Sequence, residues 1–114
     1  MENVAPMIEH KQTAALMDAL KAAGWTLTAR RFPGNAIYSH PLSGKELPTP
    51  DYMRGSRSWP FDTYSKLRQV TFNYTGFKVY AVWTRTSAAP WVSDVSPKVS
   101  FKRAIEFINE EWEP

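Results

Sequence analysis

The chain has 114 residues, no cysteine and a formal net charge of +3. This length fits one domain with an ordinary core, and 43% hydrophobic with 22% charged residues excludes wholesale disorder. The absence of cysteine excludes a disulfide scaffold and a thiolate metal site, and it favours a reducing compartment.

Two further features bear on location and partners. No apolar run approaches the roughly 18 residues that span a bilayer, and residues 1–6 lack the basic and apolar regions of a signal peptide. We therefore expect a cytoplasmic protein without membrane contact. Basic residues outnumber acidic ones between Arg30 and Arg85, whereas acids dominate the C-terminal segment. This asymmetry predicts a polarised surface, and a surface without pattern is the open alternative.

The first predicted element is a helix over residues 7–23. Pro6 suits the first turn, where its missing N–H costs nothing. Gly24 is the predicted left-handed C-cap, and Trp25 is placed to fold back on the last turn. Apolar residues at three- and four-residue spacing form one stripe: Ile8, Ala15, Leu16, Ala19, Leu20 and Ala23.

Short strands follow the helix. Residues 25–32 alternate in a half-buried pattern, with Trp25, Leu27 and Ala29 on the buried side. A turn at residues 33–35 joins them to a second strand over residues 36–40, and residues 45–47 could form a short third strand. Residues 48–60 are predicted to be a long irregular loop, because they contain three prolines and a glycine.

The clearest hairpin signal spans residues 70–83, with a predicted turn at Thr75 and Gly76. On its second strand, alternation predicts that four residues share one face: Phe77, Val79, Ala81 and Trp83. Residues 87–96, which include Pro90, are predicted to be a loop.

A C-terminal helix is predicted next, with Ser96 as its cap and Pro97 in its first turn. Its apolar stripe consists of four residues: Phe101, Ile105, Ile108 and Trp112. Its acidic residues lie toward the C-terminal end, where the helix dipole disfavours them, so we expect basic groups to face that end. These acids are Glu106, Glu110, Glu111 and Glu113.

Together these elements predict one α+β domain over residues 1–114. An N-terminal helix, an antiparallel sheet of four or five strands and a C-terminal helix packed on one face make up the expected fold.

The candidate binding site is basic and aromatic. Cations that track phosphates and rings that stack on bases are what single-stranded nucleic acid needs, and the same composition makes protein hot spots. A third interpretation is a loop that pins Tyr52 and Trp59 into the core. The predicted binding residues are Arg30, Arg31, Tyr52, Arg54, Arg57, Trp59 and Arg68.

Little in the sequence indicates catalysis. His10 and His40 are too few to hold zinc, the glycines form no phosphate loop, and no nucleophile motif is present. Asp51 and Asp62 flank the long loop, and such residues are usually loop caps. We expect no catalytic residue, no metal and no cofactor.

One stretch resembles a known family. The order of helix, Gly24, Trp25 and strand, followed by Arg31 and Gly34, is similar to HicA-type mRNA interferase toxins. The resemblance covers residues 16–50 and ends on a second group: Asn35, Tyr38, Ser39, His40, Pro41, Leu47 and Pro48. It implies a double-stranded-RNA-binding-like α-β-β-β-α fold. Where that family carries its catalytic histidine, this chain has Ala36, so the resemblance implies the fold and RNA binding rather than that cleavage mechanism.

Three functional hypotheses remain. The leading one is a non-enzymatic binding module that contacts RNA, DNA or a protein complex, of the kind by which phage or plasmid proteins block a host nucleic-acid-handling complex. The second is a HicA-like RNase that uses His40 with Asp51 or a nearby lysine. The third is a structural or assembly subunit that buries Trp91 and Trp112 against copies of itself.

Overall fold

The computed structural model describes residues 4–57, 59–88 and 92–114. Two helices, α1 (Val4–Ala22) and α2 (Phe101–Asn109), pack on one face of an antiparallel sheet. The α+β prediction, with one helix at each end of the chain, is therefore confirmed. The strands are β1 (Thr26–Ala29), β2 (Asn35–Ser39), β3 (Leu47–Pro48), β4 (Thr63–Tyr64), β5 (Lys66–Thr75), β6 (Lys78–Ala88), β7 (Val92–Val95) and β8 (Lys98–Val99).

The main sheet has six strands. Its order is β1-β2-β5-β6-β7, and the short β8 pairs with β6 as well. The long β5–β6 hairpin forms the centre of this sheet. Among the residues that the structure describes, β3 and β4 pair with each other and with no other strand. Residues 47–57 and 59–64 therefore form a separate β3–β4 arm between β2 and β5.

The end of α1 has the predicted geometry. Gly24 has a φ of 76°. Its N–H donates to the Lys21 carbonyl at 3.1 Å, and the Trp25 N–H donates to the Leu20 carbonyl at 2.9 Å. This pair of bonds is the Schellman motif, and it returns Trp25 to the core, where its side chain is buried.

The core lies between the helices and the central strands. Leu16 and Leu20 of α1 are completely buried. Burial of each such side chain stabilises the fold by roughly 1.5–3 kcal/mol. The same buried cluster also contains Val70, Phe72, Val82, Ala104, Phe107 and Ile108.

The prediction that the first strand is half-buried is wrong in part. All four residues of β1 are exposed, and Leu27 keeps 42% of its surface in contact with solvent. The physical reason is position: β1 is an edge strand, whereas the helices contact β6 at the centre of the sheet. Of the three residues predicted to be buried here, only Trp25 is, and it precedes the strand.

The β5–β6 hairpin also differs from its prediction. Thr75 pairs with Lys78, so the turn residues are Gly76 and Phe77 rather than Thr75 and Gly76. A β-bulge then shifts the register between Asn73 and Tyr74 and reverses the alternation along β6. Val79 and Val82 both belong to the core. The predicted shared face is therefore wrong.

The predicted loop and helix start near the C-terminus are wrong as well. Residues predicted to be a loop form the end of β6 and β7, and the predicted first helical turn is β8. Helix α2 begins later because Ser100, rather than Ser96, accepts the capping hydrogen bond from the Arg103 N–H at 3.1 Å. Pro90 and Trp91 lie outside the described residues.

Candidate binding site on the open face of the sheet

One face of the sheet is not covered by either helix, and we call it the open face. It carries the residues that alternate with the core positions of β2, β5 and β6. The register aligns them in three rows: Asn35, Asn73 and Ala81 in the first, Ile37, Thr71 and Trp83 in the second, and Ser39, Gln69 and Arg85 in the third.

A ladder of polar side chains crosses the open face, with one residue from each of five adjacent strands. The Thr28 and Ser39 hydroxyls lie 2.8 Å apart, and Gln69 Nε2 donates to Ser39 Oγ at 3.1 Å. Arg85 Nη1 donates to Gln69 Oε1 at 2.9 Å, and Arg85 also binds Asp94. Each member is held by its neighbour, so the ladder fixes the Arg85 guanidinium in place.

A second set of hydrogen bonds shapes the turn between β1 and β2. Asn35 Nδ2 donates to Asn73 Oδ1 at 2.9 Å, and the Arg31 N–H donates to Asn35 Oδ1 at 3.1 Å. Gly34 lies against β5: a Cβ at this position would stand 2.9 Å from the Tyr74 carbonyl oxygen. Glycine is required here, and the close approach places Arg31 beside the open face.

These features enclose a concave trough of about 310 Å³. The β1–β2 turn supplies Arg31 and Phe32, Trp83 lies among the lining residues of β5 and β6, and Ser96 lies beyond β7. The trough combines two arginines, two aromatic rings and polar groups. Its lining residues are Arg31, Phe32, Asn35, Thr71, Asn73, Trp83, Arg85 and Ser96.

The charges of the trough converge on one carboxylate. Arg85 Nη2 lies 2.7 Å from Asp94 Oδ2. Hydrogen bonding from Arg85 lowers the pKa of Asp94, and the charge of Arg31 lowers it further. The same hydrogen bond raises the pKa of Arg85. Lys98 pairs with Trp83 across β8 and β6, so it projects from the same face. Two cations, Arg85 and Arg31, therefore act on one anion, and Lys98 adds a third positive charge to the same face of the sheet.

The structure separates the two adjacent arginines of the prediction. Arg31 lines the trough, but Arg30 points to the helix side. Arg30 Nη1 donates to the Asn35 carbonyl at 3.2 Å and to the Tyr74 hydroxyl at 2.6 Å. There Arg30 lines an apolar cavity of about 250 Å³, and Met17 of α1 lines the same cavity.

Arg68 is a buried structural residue. Its Nη2 donates to the Phe107 carbonyl at 3.1 Å and to Glu110 at 3.0 Å, and its guanidinium lies 3.7 Å from the Phe107 ring centroid. Hydrogen bonds from Arg103 and Arg68 lower the pKa of Glu110. The expectation of basic groups at this acidic helix end is confirmed, and Arg68 does not lie on the exposed surface with the other predicted residues.

The remaining predicted site residues lie on the β3–β4 arm. Tyr52 is 80% exposed, Arg57 is exposed, and Arg54 forms a surface ion pair with Asp51 at 3.6 Å. Trp59 is half-buried, and its Nε1 donates to the Thr63 carbonyl at 3.0 Å. The interpretation that Tyr52 is pinned into the core is therefore wrong.

The residue that anchors the arm is Thr49, which sequence analysis missed. It is buried, its N–H donates to the Asp62 carbonyl and its hydroxyl donates to the Phe61 carbonyl. The arm follows the end of β2, whereas Arg31 precedes its start. The five-residue strand β2, about 13 Å long at roughly 3.3 Å per residue, lies between them in the chain. Because Arg68 is buried and Arg30 faces the helices, the predicted site is not one cluster.

His40, the candidate catalytic residue of the RNase hypothesis, lies between two indoles. Its ring centroid is 5.6 Å from that of Trp25 and 4.9 Å from that of Trp112. Its Nδ1 accepts from the Leu42 N–H at 3.0 Å. Burial, with a smaller contribution from the charge of Arg68, lowers the pKa of His40.

The RNase hypothesis pairs His40 with Asp51 or a nearby lysine. Asp51 lies on the arm, where it contacts Arg54, and the alternative of a nearby lysine stays a prediction. Ala36, which occupies the place of the family's catalytic histidine, has a side chain buried in the core.

Sequence analysis missed most of the trough. The alternation of Gln69, Thr71 and Asn73 indicates a polar face on β5. Trp83 lies on the same face as these residues, but this follows only when the bulge in the β5–β6 pairing is taken into account. Asp94 gave no signal, because its strand was predicted to be a loop.

Comparison with family models, with curated proteins and with solved structures finds no match to this chain. Within residues 4–57, 59–88 and 92–114, no helix is long and apolar enough to cross a membrane. The described part of the chain also contains no group of three histidine, aspartate or glutamate residues placed to hold a metal ion.

Proposed function

We propose that this chain is a non-enzymatic binding module that binds single-stranded nucleic acid in the trough of the open face. The observation that carries the proposal is the position of Trp83, a half-buried indole that lines a concave sheet surface together with Arg31 and Arg85. We place the activity in the cytoplasm, as the cysteine-free composition favours.

The chemistry of the trough matches what an unpaired strand offers. A base stacked on an aromatic side chain contributes roughly 1–3 kcal/mol to binding, and Trp83 and Phe32 provide two such surfaces. Arg31, Arg85 and Lys98 supply positive charge for phosphates. The amides of Asn35 and Asn73 already bond to each other, so the polar groups beside the indole are ordered before a ligand arrives.

A second candidate function is contact with a protein, and a specific feature of the arm favours it. Tyr52 and Phe61 are 80% and 59% exposed beside the cations Arg54 and Arg57. Exposed aromatic rings among arginines are the composition of protein hot spots. A module that holds nucleic acid on its sheet and a protein on its arm would suit the hypothesis of a phage or plasmid protein that blocks a nucleic-acid-handling complex.

Fluorescence anisotropy with labelled oligonucleotides tests the proposal. We would titrate the protein into single-stranded RNA and DNA of about 12 nucleotides and into the matching duplexes, at salt from about 50 to 200 mM. We expect the single strands to bind more tightly than the duplexes. The affinity should fall as salt rises, because bound phosphates release their counterions.

Two matched tryptophan variants identify the surface that binds. Trp83→Leu should weaken single-strand binding by about tenfold or more, because it removes the stacking platform. Trp59→Leu makes the same change on the arm and should leave the affinity within about twofold, the range of a surface contact outside the site. Thermal unfolding by circular dichroism confirms that both variants fold. Absence of binding by the unmodified protein, or loss of binding only in the arm variant, would contradict the proposal.

A further inference from the structure

The contact between Arg85 and Asp94 has the geometry of a ligand contact. Arg85 Nε lies 3.0 Å from Asp94 Oδ1, and Nη2 lies 2.7 Å from Oδ2. Two parallel N–H donors on one carboxylate make the fork geometry by which arginine also binds a phosphate. The carboxylate therefore occupies the donors that a phosphate in the trough would use.

Arg85 is also held by a partner other than Asp94. Its third donor group, Nη1, is bound to Gln69 Oε1 at 2.9 Å, and Gln69 is in turn bound to Ser39. The side chain of Arg85 is 24% exposed, whereas that of Asp94 is 47% exposed on the edge strand β7. If the carboxylate moved away, the ladder would still hold the guanidinium with two donors free.

Arg31 acts on the same carboxylate from the β1–β2 turn, since its charge helps to lower the pKa of Asp94. Two cations thus converge on one anion at the trough. The side chain of Asp94 is 47% exposed, so water can solvate its carboxylate when a ligand phosphate displaces it from Arg85.

We propose that Asp94 is an internal competitor for the ligand: its carboxylate occupies the phosphate position at Arg85, and nucleic acid binds by displacing it. This inference rests on the proposed function. It assigns to Asp94 the control of affinity and of salt dependence at the trough, and it identifies Arg85 as the phosphate-binding residue.

The decisive variant is Asp94→Asn, which keeps the shape of the side chain and removes its charge. We expect single-strand affinity at low salt to rise about five- to tenfold, because the two donors of Arg85 become available. The salt dependence should steepen, since a further phosphate contact releases further counterions.

Asp51→Asn is the matched control. Asp51 also forms an exposed ion pair with an arginine, Arg54, but it lies on the arm. This variant makes the same change in net charge and should alter the affinity by less than about twofold. The gain from Asp94→Asn should also disappear in a protein that carries Arg85→Gln, because the freed donors are then absent.

The outcomes separate the two proposals. If the unmodified protein binds oligonucleotides and Asp94→Asn leaves the affinity unchanged or lowers it, Asp94 positions Arg85 and this inference alone is overturned. If neither protein binds, the proposed function fails and the inference with it.

Discussion

The two faces of the sheet are built from the same strands but have opposite chemistry. Phe72 faces the helices and is buried, whereas its neighbour Thr71 lies on the open face opposite Trp83. Strand alternation alone produces this contrast. It means that the core and the proposed binding surface lie on opposite sides of one layer, so substitutions one residue apart should separate stability from binding.

The largest effect should come from this pair of neighbours. Phe72→Ala should lower the free energy of unfolding by about 3–5 kcal/mol, because it leaves a cavity beneath the helices. Phe72 is 4% exposed, and its ring lies 5.7 Å from that of Tyr38. Thr71→Ala should cost less than about 1 kcal/mol. Urea unfolding measures both, and equal losses would show that the open face also belongs to the core.

An intermediate loss of stability should appear on acidification, and its first part should come from His40, which packs against the buried Trp25. The lowered pKa of His40 means that the unfolded chain takes up a proton near 6.5, before the folded protein does. Stability should therefore fall as pH drops below about 6.5 and stop falling from this cause below the folded pKa. The lowered pKa of Glu110 adds a separate loss that begins only near its ordinary value of 4.5.

The open face should resist acid in the upper part of this range, because the lowered pKa of Asp94 keeps its pair with Arg85 ionised. Thermal unfolding between about pH 4 and 8 tests the difference. In a His40→Asn protein, the amide oxygen can still accept from the Leu42 N–H, and the loss between pH 6.5 and 5 should disappear. Persistence of that loss in the variant would assign it to another group.

Local rules explain why part of the fold was predictable. Gly24 and Trp25 marked the end of α1, and the alternation at Val70, Phe72 and Tyr74 marked β5, since each signal lies within a few residues. The errors came from features that depend on partners distant in sequence. β1 is exposed because the helices lie over other strands, and the bulge opposite Asn73 reverses the faces of β6.

The candidate site was harder to predict for the same reason. Composition drew attention to arginines in loops, but it could not show that Arg68 is buried against Phe107 and Glu110. Arg31 was identified because it is basic, but its place in the proposed site depends on its proximity to Trp83 and Asp94. That proximity arises only when β2, β5, β6 and β7 pair in the correct register, which the sequence does not show.

The smallest expected effect gives the sharpest comparison, because it concerns adjacent residues with the same charge. Arg31→Gln should weaken single-strand binding about three- to tenfold, as expected for the loss of one charge-assisted contact. Arg30→Gln should leave binding within about twofold, since Arg30 bonds to Tyr74 on the helix side. It should instead lower the melting temperature, because it removes two hydrogen bonds that hold the β1–β2 turn. Equal losses of affinity would mean that only net charge matters, and the trough would then have no special role in binding.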